Sequence, residues 1–207
     1  MPIRRQNVLI FSVLAFTFAT FVAPRTSFAE ALAVGAAAPA FELKNINDAM
    51  VSLESGKGSI GTLVVFTCNH CPFAIAYEDR IVALANEFQP KGVNFIAINS
   101  NDPLIKPEDG FEAMKKRAAD KAFTFPYLVN EDGSVAKAYG AARTPEAFLL
   151  DADGKIVYHG RIDDNTEAPK VTVHDLKNAM TKLVAGEAAA IDPKSTAAFG
   201  CTIKFRK

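Results

Sequence analysis

Cysteine is scarce in this chain, occurring three times in 207 residues, which excludes a small scaffold held together by many disulfides. Neither sign of charge is in excess. Lysine plus arginine and aspartate plus glutamate each number 23, so there is no basic surplus for a nucleic-acid partner and no acidic surplus for a solvating tail. Repeats, low-complexity blocks and Pro/Gly-rich linkers are missing, and nothing in the pattern divides the chain into several folding units. Long apolar runs are missing too. The longest, Val8 to Val22, is interrupted by Ser12, Thr17 and Thr20 and falls short of the roughly 20 residues that a spanning helix needs.

What surrounds that run gives it a meaning. Arg4 and Arg5 precede it, and Ser27-Phe28-Ala29 follows it with small residues where a signal peptidase reads them. The layout predicts a signal peptide over residues 1–29 and a single domain over 30–207, with a core at about 34–185 and a C-terminal tail over 186–207. A periplasmic or secreted protein without a stable membrane anchor after cleavage is the expectation.

Two short alternating segments, Val34 to Leu43 and Val51 to Leu53, predict a β-hairpin. The runs Leu63-Val64-Val65-Phe66 and Val93 to Ile98 are apolar throughout, as strands buried on both faces of a parallel sheet are. Between them Ile75, Ile81, Leu84, Ala85 and Phe88 recur at helical spacing, giving a β-α-β unit. Pro107 to Lys121 and Val173 to Val184 predict further helices, the first with Phe111, Met114 and Ala118 inward. Asp153-Gly154 predicts a tight turn between the strands at Phe148 and Ile156. The fold class is α/β: a central mixed β-sheet flanked by helices, with an N-terminal β-hairpin extension.

The chemistry-bearing pattern is Cys68-Asn69-His70-Cys71, where a buried strand meets a helix. A thiol at a helix N-terminus faces unsatisfied amide donors and the positive end of the dipole, so its thiolate, the species that attacks a disulfide, is favoured. Cys68 is the expected nucleophile and Cys71, about one turn into the helix, the resolving thiol. A protonated His70 between them would favour the Cys68 thiolate further. Half of a zinc site is the competing reading, but His159, His174 and Cys201 are too scattered to complete four ligands. An inert structural disulfide is the other, and so short a loop gives it little to stabilise. The expectation is no cofactor and no resident metal. Cys201 is expected to pack its small side chain in a closing strand, with an alternative disulfide to Cys68 or Cys71 as the rival role. His159 and His174 read as surface or capping residues, and Asp163, Asp164 and Glu167 as a solvated loop. Arg143-Thr144-Pro145-Glu146 enters a strand; a cis peptide at Pro145 would present the Thr144 backbone beside the thiols.

Taken in order, Gly35 to Leu43, Phe66 to Phe73 and Tyr139 to Asp151 resemble the thioredoxin superfamily, and within it the redoxin group of peroxiredoxin-like and TlpA-like thiol-disulfide proteins. The likeness spans roughly residues 34–184. It implies a thioredoxin-like fold, a cis Pro145, and a substrate lying across Thr144-Pro145 and Cys68. The departures are specific. Thioredoxins carry Trp before the first Cys and Gly-Pro between the two, where this chain has Thr67 and Asn69-His70 and no Trp anywhere. Peroxiredoxins place a proline and a hydroxyl residue ahead of their cysteine, at positions that here hold Gly61 and Val65. No carboxylate lies in Gly61 to Thr67 to accept the proton of the second thiol. Glu146 follows Pro145 as a Glu does in cytochrome-maturation relatives, and is the candidate proton acceptor for Cys71.

The leading expectation is thus an exported thiol-disulfide oxidoreductase, a monomer whose partners are a thiol or disulfide client protein and a separate redox partner. A thiol-dependent peroxidase and a thiol protein that binds Cu(I) or serves haem maturation are the alternatives. Its site residues are Cys68, Cys71, Pro145, Thr144, His70 and Glu146.

Overall fold

The computed structural model describes Met1 and residues 31–206, so the signal peptide expected over residues 1–29 lies outside the described residues, Met1 aside. Nine strands and four helices are present among them: β1 Glu42–Asn45, β2 Met50–Ser52, β3 Gly61–Phe66, α1 Pro72–Phe88, β4 Val93–Asn99, α2 Phe111–Asp120, β5 Tyr127–Val129, α3 Ser134–Tyr139, β6 Arg143–Thr144, β7 Glu146–Asp151, β8 Ile156–Gly160, α4 Asp175–Val184 and β9 Cys201–Thr202. Seven strands form one sheet in the order β2-β1-β5-β4-β3-β7-β8, and β6 with β9 form a separate ribbon. Pairing is parallel for β3–β4 and β4–β5 and antiparallel elsewhere, so the sheet is mixed as the sequence predicts. None of the helices in the described residues is long and apolar enough to cross a membrane.

The continuous apolar runs are explained by position. Strand β3 lies between β4 and β7, and all its residues are buried. Alternate side chains feed two cores, as the two-residue period of a strand requires. Leu63 and Val65 join Tyr77, Phe88, Met114 and Met180 under α1, α2 and α4. Val64 and Phe66 join Tyr139, Phe148 and Ile203 on the opposite face, where the rings of Phe66, Tyr139 and Phe148 pack edge to face at 5.3–5.7 Å.

Several expectations need correction. The hairpin is β1 and β2 alone, and it continues the main sheet through Lys44↔Val129 and Asn45↔Leu128. Of the earlier segment, Ala37 makes a single bridge to Lys155. The helix after Pro107 starts at Phe111, because Pro107-Glu108-Asp109 forms a tighter turn first. The Phe111 ring is half-buried, with the ammonium groups of Lys44 and Lys115 over it at 4.4 and 4.3 Å. Asp163 is buried and paired with Arg80 at 2.5 Å instead of solvated. Within the tail over 186–207, Ile203 enters the second core, and the Asp102 N–H donates to the Lys204 carbonyl at 2.9 Å.

Candidate functional site

Strand β3 ends at Phe66, and two residues later the chain reaches Cys68 in a short loop. Helix α1 begins only at Pro72, whose ring suits a first helical position, so Cys71 is the N-cap and both cysteines precede the helix. The expected placement of Cys71 one turn inside is corrected accordingly. The loop is held open by Asp109. Its carboxylate accepts from the Asn69 N–H at 2.6 Å, the His70 N–H at 3.3 Å and the Asn101 side-chain amide at 2.9 Å, and it meets His70 Nδ1 at 2.5 Å. Asp109 thereby pairs amides that lie ahead of the helix and have no helical carbonyl to donate to. The Tyr127 hydroxyl, held protonated by burial, donates to Asn69 Oδ1 at 3.0 Å and fixes the loop from below.

Opposite the thiols lies the Thr144–Pro145 peptide, which is cis. The Thr144 side-chain oxygen is 3.2 Å from Cys68 Sγ, and the Cys71 thiol donates to the Thr144 carbonyl at 3.2 Å. Cys68, Cys71 and Thr144 are all essentially inaccessible to solvent. Of the residues picked from the sequence, Cys68, Cys71, Thr144 and His70 therefore meet. Glu146 does not join them. Its Oε2 accepts from the Ala142 and Arg143 N–H groups at 2.8 and 2.9 Å and its Oε1 pairs with His159 Nε2 at 2.7 Å, and no hydrogen bond links it to either thiol. It braces the turn that leads into Pro145. His159 is no surface residue: its ring stacks on Phe148 at 4.4 Å. His174 stands exposed at the start of α4.

Both cysteines are free thiols, and they share a proton unequally. The hydrogen bond with Cys71, burial and the nearby Asp109 carboxylate push the Cys68 thiol up, while the Thr144 hydroxyl opposes them. Cys71 is pulled down to about 4, first by the bond from Cys68 and then by the Cys201 thiol and the N–H groups of Ala74 and Cys201, against its burial. Cys68 accordingly holds its proton more tightly than Cys71 does. Cys68 Sγ, a His70 ring nitrogen and an Asp109 oxygen lie within 4.8 Å of one another, so among the described residues these three are placed to share a metal ion. The four donors already on the Asp109 carboxylate give it a complete hydrogen-bond role without one.

Residues 34–159 match the AhpC/TSA family. The chain belongs to that family. Within the range of known AhpC/TSA-like sequences and folds, it is 28% identical over 152 residues to the thiol-disulfide oxidoreductase ResA of Geobacillus thermodenitrificans, covering 72% of this chain and 79% of that one. An uncharacterized conserved protein from Geobacillus kaustophilus superposes with a TM-score of 0.79 at 40% identity, over 87% of this chain and 94% of its own. The thioredoxin domain of a thiol-disulfide oxidoreductase from Bacteroides vulgatus aligns at 24% identity with a TM-score of 0.58, over 74% of this chain and 99% of that one; the AhpC/TSA chain described here has the thioredoxin-like fold.

Asp109 and Cys201 were not identified as site residues from the sequence. Pro107-Glu108-Asp109-Gly110 is a turn sequence, and reading it as a helix start hid a carboxylate that faces the Cys-x-x-Cys loop. Cys201 carries no local signal, since its strand has two residues and pairs with Arg143-Thr144 far back in the chain.

Proposed function

We propose that the protein is an exported thiol-disulfide oxidoreductase that acts as a monomer on protein thiols and disulfides outside the cytoplasm. The observation that carries this reading is the pair of free thiols, both hydrogen-bonded to Thr144 at the cis-proline. The similarity to ResA proteins supports it, and so does the layout of residues 1–29.

In this reading the proton shared by the sulfurs moves from Cys68 to Cys71, leaving a Cys68 thiolate. That thiolate attacks one sulfur of a client disulfide, and the other client sulfur leaves with the electron pair and takes up a proton. Cys71 then gives up its proton and attacks Cys68 Sγ. The client's remaining sulfur leaves as a thiol, and a Cys68–Cys71 disulfide remains. Thr144 and the Asp109–His70 pair position the sulfurs for this exchange. A thiol or disulfide client protein would lie along the Thr144 backbone, as the resemblance to the thioredoxin superfamily implies.

Exchange with oxidised glutathione, followed by mass and by thiol labelling, tests the proposal. The wild-type chain should form an intramolecular Cys68–Cys71 disulfide and release two equivalents of glutathione. A wild-type chain that keeps both thiols, while consuming hydrogen peroxide rapidly through one cysteine, would overturn the reading in favour of a peroxidase.

A further inference from the structure

The edge of Thr144 on which a client would lie is already taken by the chain's own C-terminus. Strand β9 pairs antiparallel with β6 in the register Arg143↔Thr202 and Thr144↔Cys201. The Ile203 N–H donates to the Ala142 carbonyl at 3.0 Å, and Arg143 Nη1 donates to the Gly200 carbonyl at 2.9 Å. Gly200 lies so close that a Cβ there would sit 2.1 Å from the Thr144 oxygen, so a glycine is required for the approach. The segment beyond is tied down by Ile203 in the core and by the Lys204 N–H on Asn101 Oδ1 at 2.7 Å; the same Asn101 amide bonds Asp109.

This docking delivers a thiol. Half-buried Cys201 packs against the cluster formed by Cys68, Cys71 and Ala74, and its register partner Thr144 is the residue whose carbonyl the Cys71 sulfur meets at 3.2 Å. A client cysteine bound along Thr144 would occupy a comparable place.

We propose that Cys201 is a third redox thiol, an internal client that exchanges with the active pair to form a Cys71–Cys201 disulfide. The proposal rests on the reading of Cys68 and Cys71 as an exchanging pair. In the oxidised chain, Cys201 loses its proton and its sulfur bonds to Cys71 Sγ. The Cys68–Cys71 bond breaks, and Cys68 leaves with the electron pair and takes up that proton. One disulfide replaces another, so no outside oxidant or reductant is consumed. The product staples the tail across the Thr144 edge and returns Cys68 to the thiol state.

The test uses the full chain equilibrated with oxidised glutathione, alkylated and digested with trypsin. Cys68 and Cys71 fall on one peptide, residues 58–80, and Cys201 on another, residues 195–204, so a link between the two peptides reports Cys201 directly. Wild-type chains should yield the linked peptides alongside the internal Cys68–Cys71 form. Cys68→Ser should lose both alkylation labels and give the linked peptides within a monomer. Absence of the linked peptides from wild type, or a Cys68→Ser chain that retains two labels, stays glutathionylated or dimerises, overturns the proposal. Cys201→Ser separates the two readings. If it forms the Cys68–Cys71 disulfide while wild type shows no link, only the Cys201 proposal fails; if it forms none, the exchanging pair fails and the Cys201 proposal with it.

Discussion

Asp109→Asn removes one buried charge while keeping the shape of the side chain, and it separates the electrostatic role of Asp109 from its structural one. The carboxylate lies within 4.8 Å of Cys68 Sγ. At an effective dielectric constant of about 20, a negative charge at that distance opposes a thiolate by about 3 kcal/mol, or about 2 pH units. The His70 bond at 2.5 Å spreads that charge; taking roughly half of the effect away leaves a fall of about 1 pH unit in the Cys68 thiol when the charge is removed. The clean measurement is in a Cys71→Ser, Cys201→Ser background, where Cys68 is the sole cysteine and no proton is shared between sulfurs. The rate of iodoacetamide alkylation against pH should shift its midpoint down by about 1 unit on adding Asp109→Asn. The structural cost has its own size. The new amide would point donors at Asn101 and His70, so about 2 kcal/mol of stability and about 4–8 °C of melting temperature are lost. A folded variant whose alkylation midpoint stays fixed or rises would refute the electrostatic argument, whatever happens to its stability.

Three further outcomes follow from the same contacts. Cys71 is held near 4 in the folded reduced chain against an ordinary value of 9.0. Its stabilisation is therefore full above the unfolded value and lost as pH falls toward 4, and the raised Cys68 acts only at the alkaline end. The melting temperature of the reduced protein should accordingly rise between about pH 5 and about pH 8 relative to that of the oxidised protein, whose bonded sulfurs do not titrate; parallel curves would contradict the Cys71 assignment. Thr144→Val removes the hydroxyl 3.2 Å from Cys68 and keeps the packing. Losing about 1 kcal/mol of thiolate stabilisation should slow exchange with oxidised glutathione about fivefold, read by stopped-flow thiol release. Glu146→Gln weakens the acceptor of two backbone N–H groups and of His159, so it should lower thermal stability by about 1–3 kcal/mol and leave the pH profile of disulfide reduction in place. A displaced profile with normal stability would restore Glu146 as the proton acceptor for Cys71.

The parts of the molecule that could be read from the sequence are those where one period and one burial state coincide. Leu63 to Phe66 and Val93 to Ile98 announce central strands because both faces are covered, and Asp153-Gly154 announces its turn because glycine accepts the left-handed conformation found there. The Cys-x-x-Cys could be read for a related reason, since its chemistry depends on spacing within four residues. Helix start and loop could not be told apart around Cys71 or Asp109. Around Cys71 the deciding interaction is the Asp109 carboxylate, which comes from another part of the chain and takes the Asn69 and His70 N–H groups; around Asp109 it is the local turn, in which the Asp109 and Gly110 N–H groups donate to the Lys106 and Pro107 carbonyls.

That kind of interaction also redistributes the roles first assigned within the motif. Helix position alone puts the thiolate on Cys68, because the dipole is the nearest positive feature in sequence. The fold adds a repelling carboxylate, Asp109, within 4.8 Å of Cys68 Sγ, and packs Cys201 against the cysteine pair. Neither is within 35 residues of the pair along the chain. The two act through one piece of structure, since Asn101 bonds the Asp109 carboxylate with its amide and the Lys204 backbone with its oxygen. Movement of the C-terminal strand therefore reaches both sides of the pair at once: it carries Cys201 away from the cysteine cluster and takes the Lys204 partner from Asn101, the residue that bonds the Asp109 carboxylate. In the proposed reading, release of β9 from Thr144 would uncover the edge along which a client lies and free Cys201 in the same step.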